Sequence, residues 1–416
     1  MWERDVGAVA EGPNGRVVFE YDEDFRASGL EISPLHLPLS LRGPREFPEL
    51  LRQQAFAGLP GVLADALPDA FGNAIIKRYF EELGTPDKAL SPVQRLLYLG
   101  KRAMGALEFH PSLYVPPNHA IEEALQIAKL VEEARRAIGG DTQVAIPEMM
   151  QVGASAGGAR AKALILWNRH ENRVRSAFAT PAQNDEQWLI KFDGVTEGTG
   201  GPLVREDLRP GPFGRIEYAY SKMAKAAGIE MAETHLLHER HFAHFMTKRF
   251  DRTSSDRLHM HSLGGLQHVD YNMRGLLSYE DYFRSIRALG MNQPDVDQAF
   301  RRMVFNVAAA NQDDHVKNLA FLMTRDGTWK LSPAFDMTFA RGNAWTITHQ
   351  MTVNGKDDAI TREDLLAVGA RMDVAKNGAD IISDVNAALT LWESEAAAVD
   401  VSREWIDRIS KLMHRH

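Results

Sequence analysis

The spacing of apolar residues divides the chain into segments with different expected structures. Val17–Tyr21 (VVFEY) predicts a short strand. Apolar residues at 49–84 recur at helical spacing, and Pro68 marks the start of a new helix there. Ile121–Ile138 predicts an amphipathic helix that ends at two glycines. We therefore place the first domain boundary after residue 140.

Beyond residue 146, short β-rich runs and glycines replace the helical pattern. The predicted strands are at residues 148–152, 163–167, 188–192, 234–237 and 242–250. Residues 193–215 hold six Gly and three Pro, which predicts a mobile loop. A single helix is expected at 215–227, before Gly228. This part of the chain is predicted to be a small β-rich unit with one helix.

Helices dominate the last third of the sequence. They are predicted at residues 278–290, 295–310, 361–371 and 379–414. The order of elements is thus a mixed α/β unit, a β-rich unit and a larger helical unit, which is an α+β organisation.

Composition narrows the class of protein. The chain has 416 residues, 48 Lys+Arg against 56 Asp+Glu, a net charge of −8 and no cysteine. This balance excludes a strongly basic nucleic-acid binder, and the length suggests two or three domains. The lack of cysteine removes disulfides, thiolate nucleophiles and Cys-based metal sites. With no apolar run near the length of a membrane span and no secretory signal at Met1, we expect a cytoplasmic protein without membrane contact.

Residues 153–157 (GASAG) form a G-x-S-x-G motif around Ser155. In an α/β-hydrolase such a motif joins a strand to a helix. Here the next predicted element is a strand, which favours a glycine-rich hairpin whose backbone N–H groups can approach phosphate oxygens. A plain hairpin turn is the alternative, and the motif alone does not decide between them.

Lys191 lies inside the apolar strand WLIKF. A buried lysine costs desolvation free energy unless it meets an anion, such as a nucleotide phosphate. Glu217, on the following predicted helix, could hold it in place. The alternative is a lysine that extends from an edge strand into solvent.

Residues 311–318 (NQDDHVKN) follow the predicted helix 295–310. Asp313 and Asn318 have the D-x-x-x-x-N spacing of a protein-kinase catalytic loop, in which the aspartate accepts the substrate proton and the asparagine binds magnesium. Asp336 follows a short strand and offers carboxylate oxygens that suit Mg²⁺. A solvated turn explains less well why so many polar groups stand between an apolar helix and an apolar strand.

Together these segments resemble the HipA-like serine/threonine kinases, the toxin half of bacterial HipBA-type toxin–antitoxin modules. The matching segments are FEYD (19–22), LPL (37–39), GLP (58–60), LPD (67–69), LGKRAMGAL (99–107), SAGGARAK (155–162), Lys191, KRFDR (248–252), NQDDHVKN (311–318) and SPAFD (332–336). The resemblance covers nearly the whole chain, and it rests on the set of motifs rather than on any single one.

The resemblance implies a role for each matching residue. Asp313 would be the catalytic aspartate, and Asn318 and Asp336 would be magnesium ligands. The residues implied in ATP binding are Gly157, Gly158, Lys191, Lys248, Phe250, Asn318 and Asp336, with Lys248 to Phe250 as the hinge beside adenine. Ser155 would be autophosphorylated, and the added charge of about −2 would silence the enzyme.

The resemblance also implies an architecture. It predicts a mixed α/β N-terminal domain at 1–140, a β-rich kinase small lobe at 141–252 and an all-helical large lobe at 253–416. The chain has no His-Arg-Asp before the catalytic loop, and residues 335–337 (FDM) replace Asp-Phe-Gly. These departures suit the HipA branch, so regulation through a eukaryotic activation loop is not carried over.

The implied cofactors are ATP and Mg²⁺, and the implied outcome is growth inhibition through phosphorylation of a protein such as an aminoacyl-tRNA synthetase. The implied partner is a helix-turn-helix antitoxin of the HipB type, and DNA would be contacted only through it, in keeping with the charge of −8. Two alternatives stay open. The chain could be a small-molecule phosphotransferase on a kinase-like scaffold, or mainly a non-catalytic corepressor partner of the antitoxin.

Overall fold

A computed structural model of the chain describes residues 1–12, 14–68, 72–73, 76, 80, 90–113, 124–125, 160–177, 179–196, 211–253, 256–342 and 345–416. Ser155, Gly157 and Gly158 lie outside the described residues. Within the described ranges, no helix has the length and apolar character needed to cross a membrane.

The N-terminal part is built on a three-stranded antiparallel sheet with the order β1-β2-β3. Its strands are β1 (Gly7–Glu11), β2 (Val17–Tyr21) and β3 (Arg45–Glu46), and its helices are α1 (Glu23–Ala27), α2 (Gly61–Ala64) and α3 (Pro92–Leu99). Alternate residues of β2 are buried, as expected for a strand with one face on the core, so the predicted strand is confirmed.

The predicted helical stretch at 49–84 is wrong at residues 51–60, which form turns. Ala57 and Gly58 both have positive φ angles, 48° and 84°, and a helix cannot continue through them. Pro60 then precedes α2, where the chain becomes helical again.

A six-stranded antiparallel sheet with the order β4-β6-β5-β7-β9-β8 forms the middle of the molecule. Its strands are β4 (Ala124–Leu125), β5 (Arg160–Asn168), β6 (Arg173–Ser176), β7 (Asp185–Thr196), β8 (Thr234–Glu239) and β9 (Phe242–Lys248). The helix α4 (Phe213–Ala226) packs against β7, β8 and β9. The strands predicted at 163–167, 188–192, 234–237 and 242–250 and the helix predicted at 215–227 are confirmed, with small shifts of their ends.

Two predictions in this region are corrected by strand pairing. β7 continues to Thr196, so residues 193–196 extend a strand instead of opening the predicted loop. Of the helix predicted at 121–138, only Ala124–Leu125 is described, and these two residues pair with β6 as a strand. Backbone hydrogen bonds to a sheet edge replace those of a helix there, a long-range contact that periodicity does not report.

The C-terminal part contains most of the helices. They are α5 (Leu263–Gln267), α6 (Tyr279–Ala288), α7 (Gln293–Ala308), α8 (Arg362–Arg371), α9 (Ala379–Leu389), α10 (Trp392–Ala397) and α11 (Arg403–Ser410). The helices α6, α7 and α8 confirm the predictions at 278–290, 295–310 and 361–371. The single helix predicted at 379–414 is wrong, because the chain breaks between α9 and α10 and again before α11. At the second break, Asp400 has a φ of 58° and Val401 N donates to Ala396 O, which ends the helix.

The all-helical description of 253–416 is also wrong. A three-stranded antiparallel sheet lies there, made of β10 (His259–Ser262), β11 (Ala320–Met323) and β12 (Trp329–Leu331). Every residue of β11 is buried, and a continuous apolar run of four residues is typical of a strand covered on both faces. β11 follows residues 311–318 directly, so this small sheet fixes where that loop ends.

Candidate functional site

A cleft lies between the six-stranded sheet, the small sheet β10–β12 and the N-terminal part. Five predicted site residues line it: Lys191, Lys248, Phe250, Asn318 and Asp336. They come from positions up to 145 residues apart in the chain, and the fold brings them together. Asp313 adjoins this group through Asn318, whose side-chain Nδ2 donates to the carbonyl oxygen of Asp313 at 3.0 Å.

Lys191 is held between two carboxylates. Its Nζ donates to Glu217 Oε1 at 2.6 Å and also to Asp336 Oδ1. Lys191 is only 8% exposed and Glu217 only 1%, so the pair is buried. The predicted pairing with Glu217 is confirmed, and the interpretation of Lys191 as a side chain extended into solvent is wrong. Because β7 lies between β5 and β9, no edge is available for such an extension.

A second lysine, Lys162 on β5, stands directly opposite Lys191 in the register of β5 and β7. It is 3% exposed and lines the same cleft. Residues opposite each other on paired strands have side chains on the same face of the sheet. In the sequence, Lys162 is the charged residue directly before the apolar run ALILW, but this pattern alone does not predict a role for it.

Asp336 has a φ of 56°, a left-handed conformation that is uncommon for a residue other than glycine and is often found at functional positions. Burial by itself raises the pKa of Asp336. The charges of Lys191 and Lys162 and the hydrogen bond from Lys191 outweigh burial and hold that pKa well below its usual range. The carboxylate is therefore ionised in any neutral solution.

A chain of buried hydrogen bonds shapes the loop at 311–318. Asn311 Nδ2 donates to Asn306 Oδ1, Asn306 Nδ2 donates to Tyr279 Oη, and Tyr279 donates to Asp314 Oδ2, at 2.9, 2.9 and 2.8 Å. Asp314 Oδ1 accepts from the backbone N–H of Gln350 at 2.8 Å. Asp314 thus anchors the loop, while its neighbour Asp313 is left half-buried beside the cleft.

The environment of Asp313 differs from that of Asp336. Burial raises the pKa of Asp313, and the negative charge of Asp336 raises it further, while His315 and the indole N–H of Trp345 act in the opposite direction. Trp345 Nε1 donates to Asp313 Oδ1 at 3.2 Å. A carboxyl group with a raised pKa takes up a proton more readily, which suits a general base.

The predicted hinge residues form one wall of the cleft. β9 ends at Lys248, whose Nζ donates to Glu186 Oε1 at 2.6 Å and lies 3.4 Å from Glu233 Oε2. The charge of Lys248 is therefore already compensated. The ring of Phe250 lies 5.4 Å from that of Phe335, so the two aromatic side chains provide apolar surface at the cleft. Contact of this wall with adenine stays a prediction.

The N-terminal part also contributes to the cleft, and no motif in the sequence predicts this. Val62, Ala66, Met104 and Leu107 supply apolar side chains, and Asp65 supplies a carboxylate. Asp65 also joins this part to β10. Its Oδ2 lies 2.6 Å from His261 Nδ1 and accepts from the backbone N–H of Ser262 at 2.7 Å, and its Oδ1 accepts from Ser262 Oγ at 2.5 Å. Burial raises the pKa of Asp65, but His261 and Ser262 lower it more.

The donor set of the cleft fits a nucleotide with magnesium. Asp336 offers a carboxylate and Asn318 an amide oxygen, and Mg²⁺ is commonly held by one or two such oxygens together with phosphates and water. Lys162 and Lys191 are suited to the phosphates. Among the described residues there is no cluster of three or more His, Asp or Glu side chains that would hold a metal by itself.

Comparisons with known proteins give the fold and the family. A HipA of Shewanella oneidensis, solved with HipB and operator DNA, matches with a TM-score of 0.64 and 16% identity over 98% of this chain and 92% of that one, which shows a shared fold. The kinase CtkA of Helicobacter pylori matches with a TM-score of only 0.34 and 12% identity over 56% of this chain and 89% of that one.

In sequence, the Sinorhizobium fredii protein Y4dM, named as a proposed kinase, is 26% identical over 234 residues, which are 51% of each chain. This chain therefore spans about half the length of that curated relative. Residues 1–110 match the family model of the HipA N-terminal domain, and residues 154–392, more than half of the chain, match that of the HipA-like C-terminal domain. The chain therefore belongs to the HipA family.

Proposed function

We propose that this chain is a Mg-ATP-dependent serine/threonine protein kinase that acts as a toxin. The observation that carries the proposal is the meeting of Asn318, Asp336 and the buried pair Lys191–Glu217 at one cleft, with Asp313 beside them in the same loop as Asn318. These are the groups that phosphoryl transfer by a kinase needs: a base, metal ligands and a fixed cation.

The proposed architecture follows from the proposed activity. Residues 141–252 would be the small lobe and residues 253–416 the large lobe, with 1–140 as a separate N-terminal domain. The six-stranded sheet with α4 and the concentration of the helices α6–α11 in the C-terminal part support this division, and residues of both parts line the cleft. β4 shows that the sheet also takes in residues before 141.

In the proposed reaction, Asp313 would accept the proton of the attacking hydroxyl group while that oxygen forms a bond to the γ-phosphorus, and the bond between the γ-phosphorus and the β–γ bridging oxygen would break, so that ADP leaves. Lys191 and Lys162 offset the negative charge of the phosphates, and Glu217 keeps Lys191 in position. Asn318 and Asp336 would hold the metal. Bound Mg-ATP supplies the phosphoryl group, and most of the rate enhancement comes from positioning and charge neutralisation.

The test of this proposal is the Asp313→Gln variant. We expect it to lose both phosphate transfer from radiolabelled ATP and the inhibition of growth, since the amide cannot accept the proton. Asp326→Asn is the matched control, because Asp326 lies in an exposed turn and should leave both unchanged. An Asp313→Gln protein with full activity would refute the kinase assignment.

Ser155, Gly157 and Gly158 belong to the proposal through the family resemblance alone. Gly157 and Gly158 would let the backbone approach the phosphates. Ser155 would receive a phosphate from the protein's own active site, which would repel ATP. Intact-mass spectra of the purified wild type and of Ser155→Ala test this, with one added phosphate expected only in the wild type.

The proposed partner is a helix-turn-helix antitoxin of the HipB type, through which the chain would reach DNA. The Shewanella HipA was solved with HipB and operator DNA, and the net charge of −8 makes direct binding to DNA by this chain unfavourable. A gel-shift assay with operator DNA should show a shift only when the antitoxin is present.

The proposed substrate is a protein, such as an aminoacyl-tRNA synthetase. Phosphoproteomics after induced expression, with Asp313→Gln as the control, would identify it.

A further inference from the structure

Trp345 makes a contact that the proposed function does not use. Its indole Nε1 donates to Oδ1 of Asp313 at 3.2 Å, although the two residues are 32 positions apart in the chain. The side chain of Trp345 is half-buried, so it lies at the edge of the site rather than in a hydrophobic core. A half-buried indole N–H can donate to water, so its hydrogen bond to this particular carboxylate is not forced by burial and points to a role for the contact.

The backbone of Trp345 is fixed to the same loop. Its carbonyl oxygen accepts from Gln350 Nε2 at 2.8 Å, and the same Nε2 donates to the carbonyl oxygen of Gln312 at 3.0 Å. Arg274 Nη1 also donates to the Trp345 carbonyl oxygen at 3.4 Å, and the Arg274 guanidinium lies 5.7 Å from the indole centroid. Contacts on two sides therefore hold the indole in place, and they also fix the direction in which its N–H bond points.

An indole N–H is suited to hold the base in place, because it does not compete with the base for the proton. An indole N–H can donate a hydrogen bond but cannot accept a proton, unlike a histidine or a serine side chain. The terminal torsion of an aspartate is broad, so a free carboxylate samples many orientations. One fixed donor on Oδ1 restricts that rotation and keeps the carboxylate in a set plane.

We propose that Trp345 is a positioning residue for Asp313, which it orients toward the hydroxyl group of the incoming substrate. This inference rests on the proposed kinase function, since it assigns Asp313 the role of the base. Trp345 acts on the transfer step and not on nucleotide binding, because it contacts the base and does not line the cleft.

The test compares Trp345→Phe with Trp2→Phe in the full chain. Both variants keep an aromatic ring and remove an indole N–H; that of Trp2 donates to the backbone oxygen of Arg257 at 2.7 Å. Each protein is first treated with a phosphatase, because the proposed phosphate on Ser155 would block the reaction. The rate of phosphate incorporation into the chain from radiolabelled Mg-ATP is then measured against ATP concentration. We expect Trp345→Phe to lower the maximal rate about 10- to 100-fold, the scale of a misplaced catalytic group. The ATP concentration for half-maximal rate and the thermal unfolding midpoint should stay at the wild-type values, and Trp2→Phe should keep the maximal rate.

A second measurement reads the contact directly. In protein with ¹⁵N-labelled tryptophan, the indole signal missing from Trp345→Phe is that of Trp345. It should move upfield in Asp313→Asn, because a neutral amide is a weaker acceptor than a carboxylate. The other indole signals should stay in place.

The outcomes separate the two proposals. A wild type that incorporates phosphate and a Trp345→Phe protein of equal maximal rate would overturn the positioning role alone. An indole signal of Trp345 that does not move in Asp313→Asn would also overturn the positioning role, since the contact would then not form in solution. A wild type that transfers no phosphate from Mg-ATP would instead overturn the kinase function on which the inference rests.

Discussion

The two walls of the cleft hold their charged groups by different means. The strand wall, which consists of Lys162, Lys191 and Glu217, lies on regular elements, and its charges are compensated by other charges in a buried setting. The loop wall, residues 311–318, is held by a network of hydrogen bonds whose buried carboxylate, Asp314, accepts from the Tyr279 hydroxyl and the backbone N–H of Gln350 and lies 2.9 Å from His349 Nδ1. A loop has no repeating backbone pattern to rely on, so side chains must supply its shape.

The difference extends to the two carboxylates of the site. Asp336 faces the lysines of the strand wall, and its pKa is lowered. Asp313 accepts from a neutral indole instead, and its pKa is raised by burial and by Asp336 itself. Neighbouring carboxyl groups whose environments move their pKa values apart are suited to different tasks. In this protein the separation supports the proposal in which Asp336 stays an anion and Asp313 acts as the base.

The largest effect on stability is expected from breaking the buried pair of the strand wall. Lys191→Met removes the cation and leaves Glu217 buried beside an apolar side chain. Removing one partner of a buried ion pair costs about 3–5 kcal/mol of unfolding free energy. Chemical denaturation at neutral pH measures the loss, which should be accompanied by loss of nucleotide binding.

The control is the double variant Lys191→Met with Glu217→Gln. It removes both charges, so most of the lost stability should return while nucleotide binding stays absent. If the single variant proved as stable as the wild type, the strand wall would not depend on charge compensation.

The next largest effect is expected at the anchor of the loop wall. Asp314→Asn places an amide nitrogen where a carboxylate oxygen now accepts from Tyr279 or from the backbone N–H of Gln350. Hydrogen bonds to a charged group contribute about 1.5–3 kcal/mol, so we expect a loss of roughly 2 kcal/mol in chemical denaturation. Tyr279→Phe removes the hydroxyl that donates to Asp314 and also accepts from Asn306 Nδ2, so it should cost a similar amount, about 1–3 kcal/mol. An Asp314→Asn protein as stable as the wild type would contradict the role of Asp314 as the anchor of the loop.

Most helices and strands around the cleft could be predicted from periodicity, but several contacts between distant parts of the chain could not. Lys191 stood out because one charge interrupts an apolar strand, and its partner Glu217 followed from the next helix. Residues 311–318 stood out by their density of polar groups. The contribution of Asp65 to the cleft leaves no local trace, because it depends on how the N-terminal part packs against β10. Two strands of the small sheet were expected, the apolar strand after residues 311–318 and the short strand before Asp336, and both are confirmed as β11 and β12. The strand β10 and its pairing with β11 were missed, because β10 has only four residues and is separated from β11 by more than 50 residues in the chain.

A smaller effect is expected from Asp336→Asn. Because the pKa of Asp336 is lowered in the folded protein, its ionised form stabilises the fold above the pKa of the unfolded chain. The variant should lose about 1–2 kcal/mol at neutral pH, the scale of a hydrogen bond to a charged group. Denaturation across a pH series should show the difference from wild type shrinking as the pH falls from the ordinary pKa of aspartate toward the lowered pKa of the folded protein, below which both states are protonated. A difference that does not change with pH would show that the lysines do not act through charge.

The smallest effect, and one of opposite sign, is expected from Asp313→Asn. Because the pKa of Asp313 is raised in the folded protein, the fold holds this proton more tightly than the unfolded chain does, and ionisation lowers stability as the pH rises through the raised value. Removing the charge should therefore leave the unfolding free energy at neutral pH within about 0.5 kcal/mol of wild type or slightly above it, as is common for groups kept for function rather than stability. The weaker hydrogen bond from Trp345 opposes this gain, which keeps it small. Denaturation of Asp313→Asn and Asp336→Asn side by side measures the contrast. Equal losses of unfolding free energy in the two variants would mean that the strand wall does not move the pKa values of the two carboxylates apart. The electrostatic argument for Asp313 as the base would then fail.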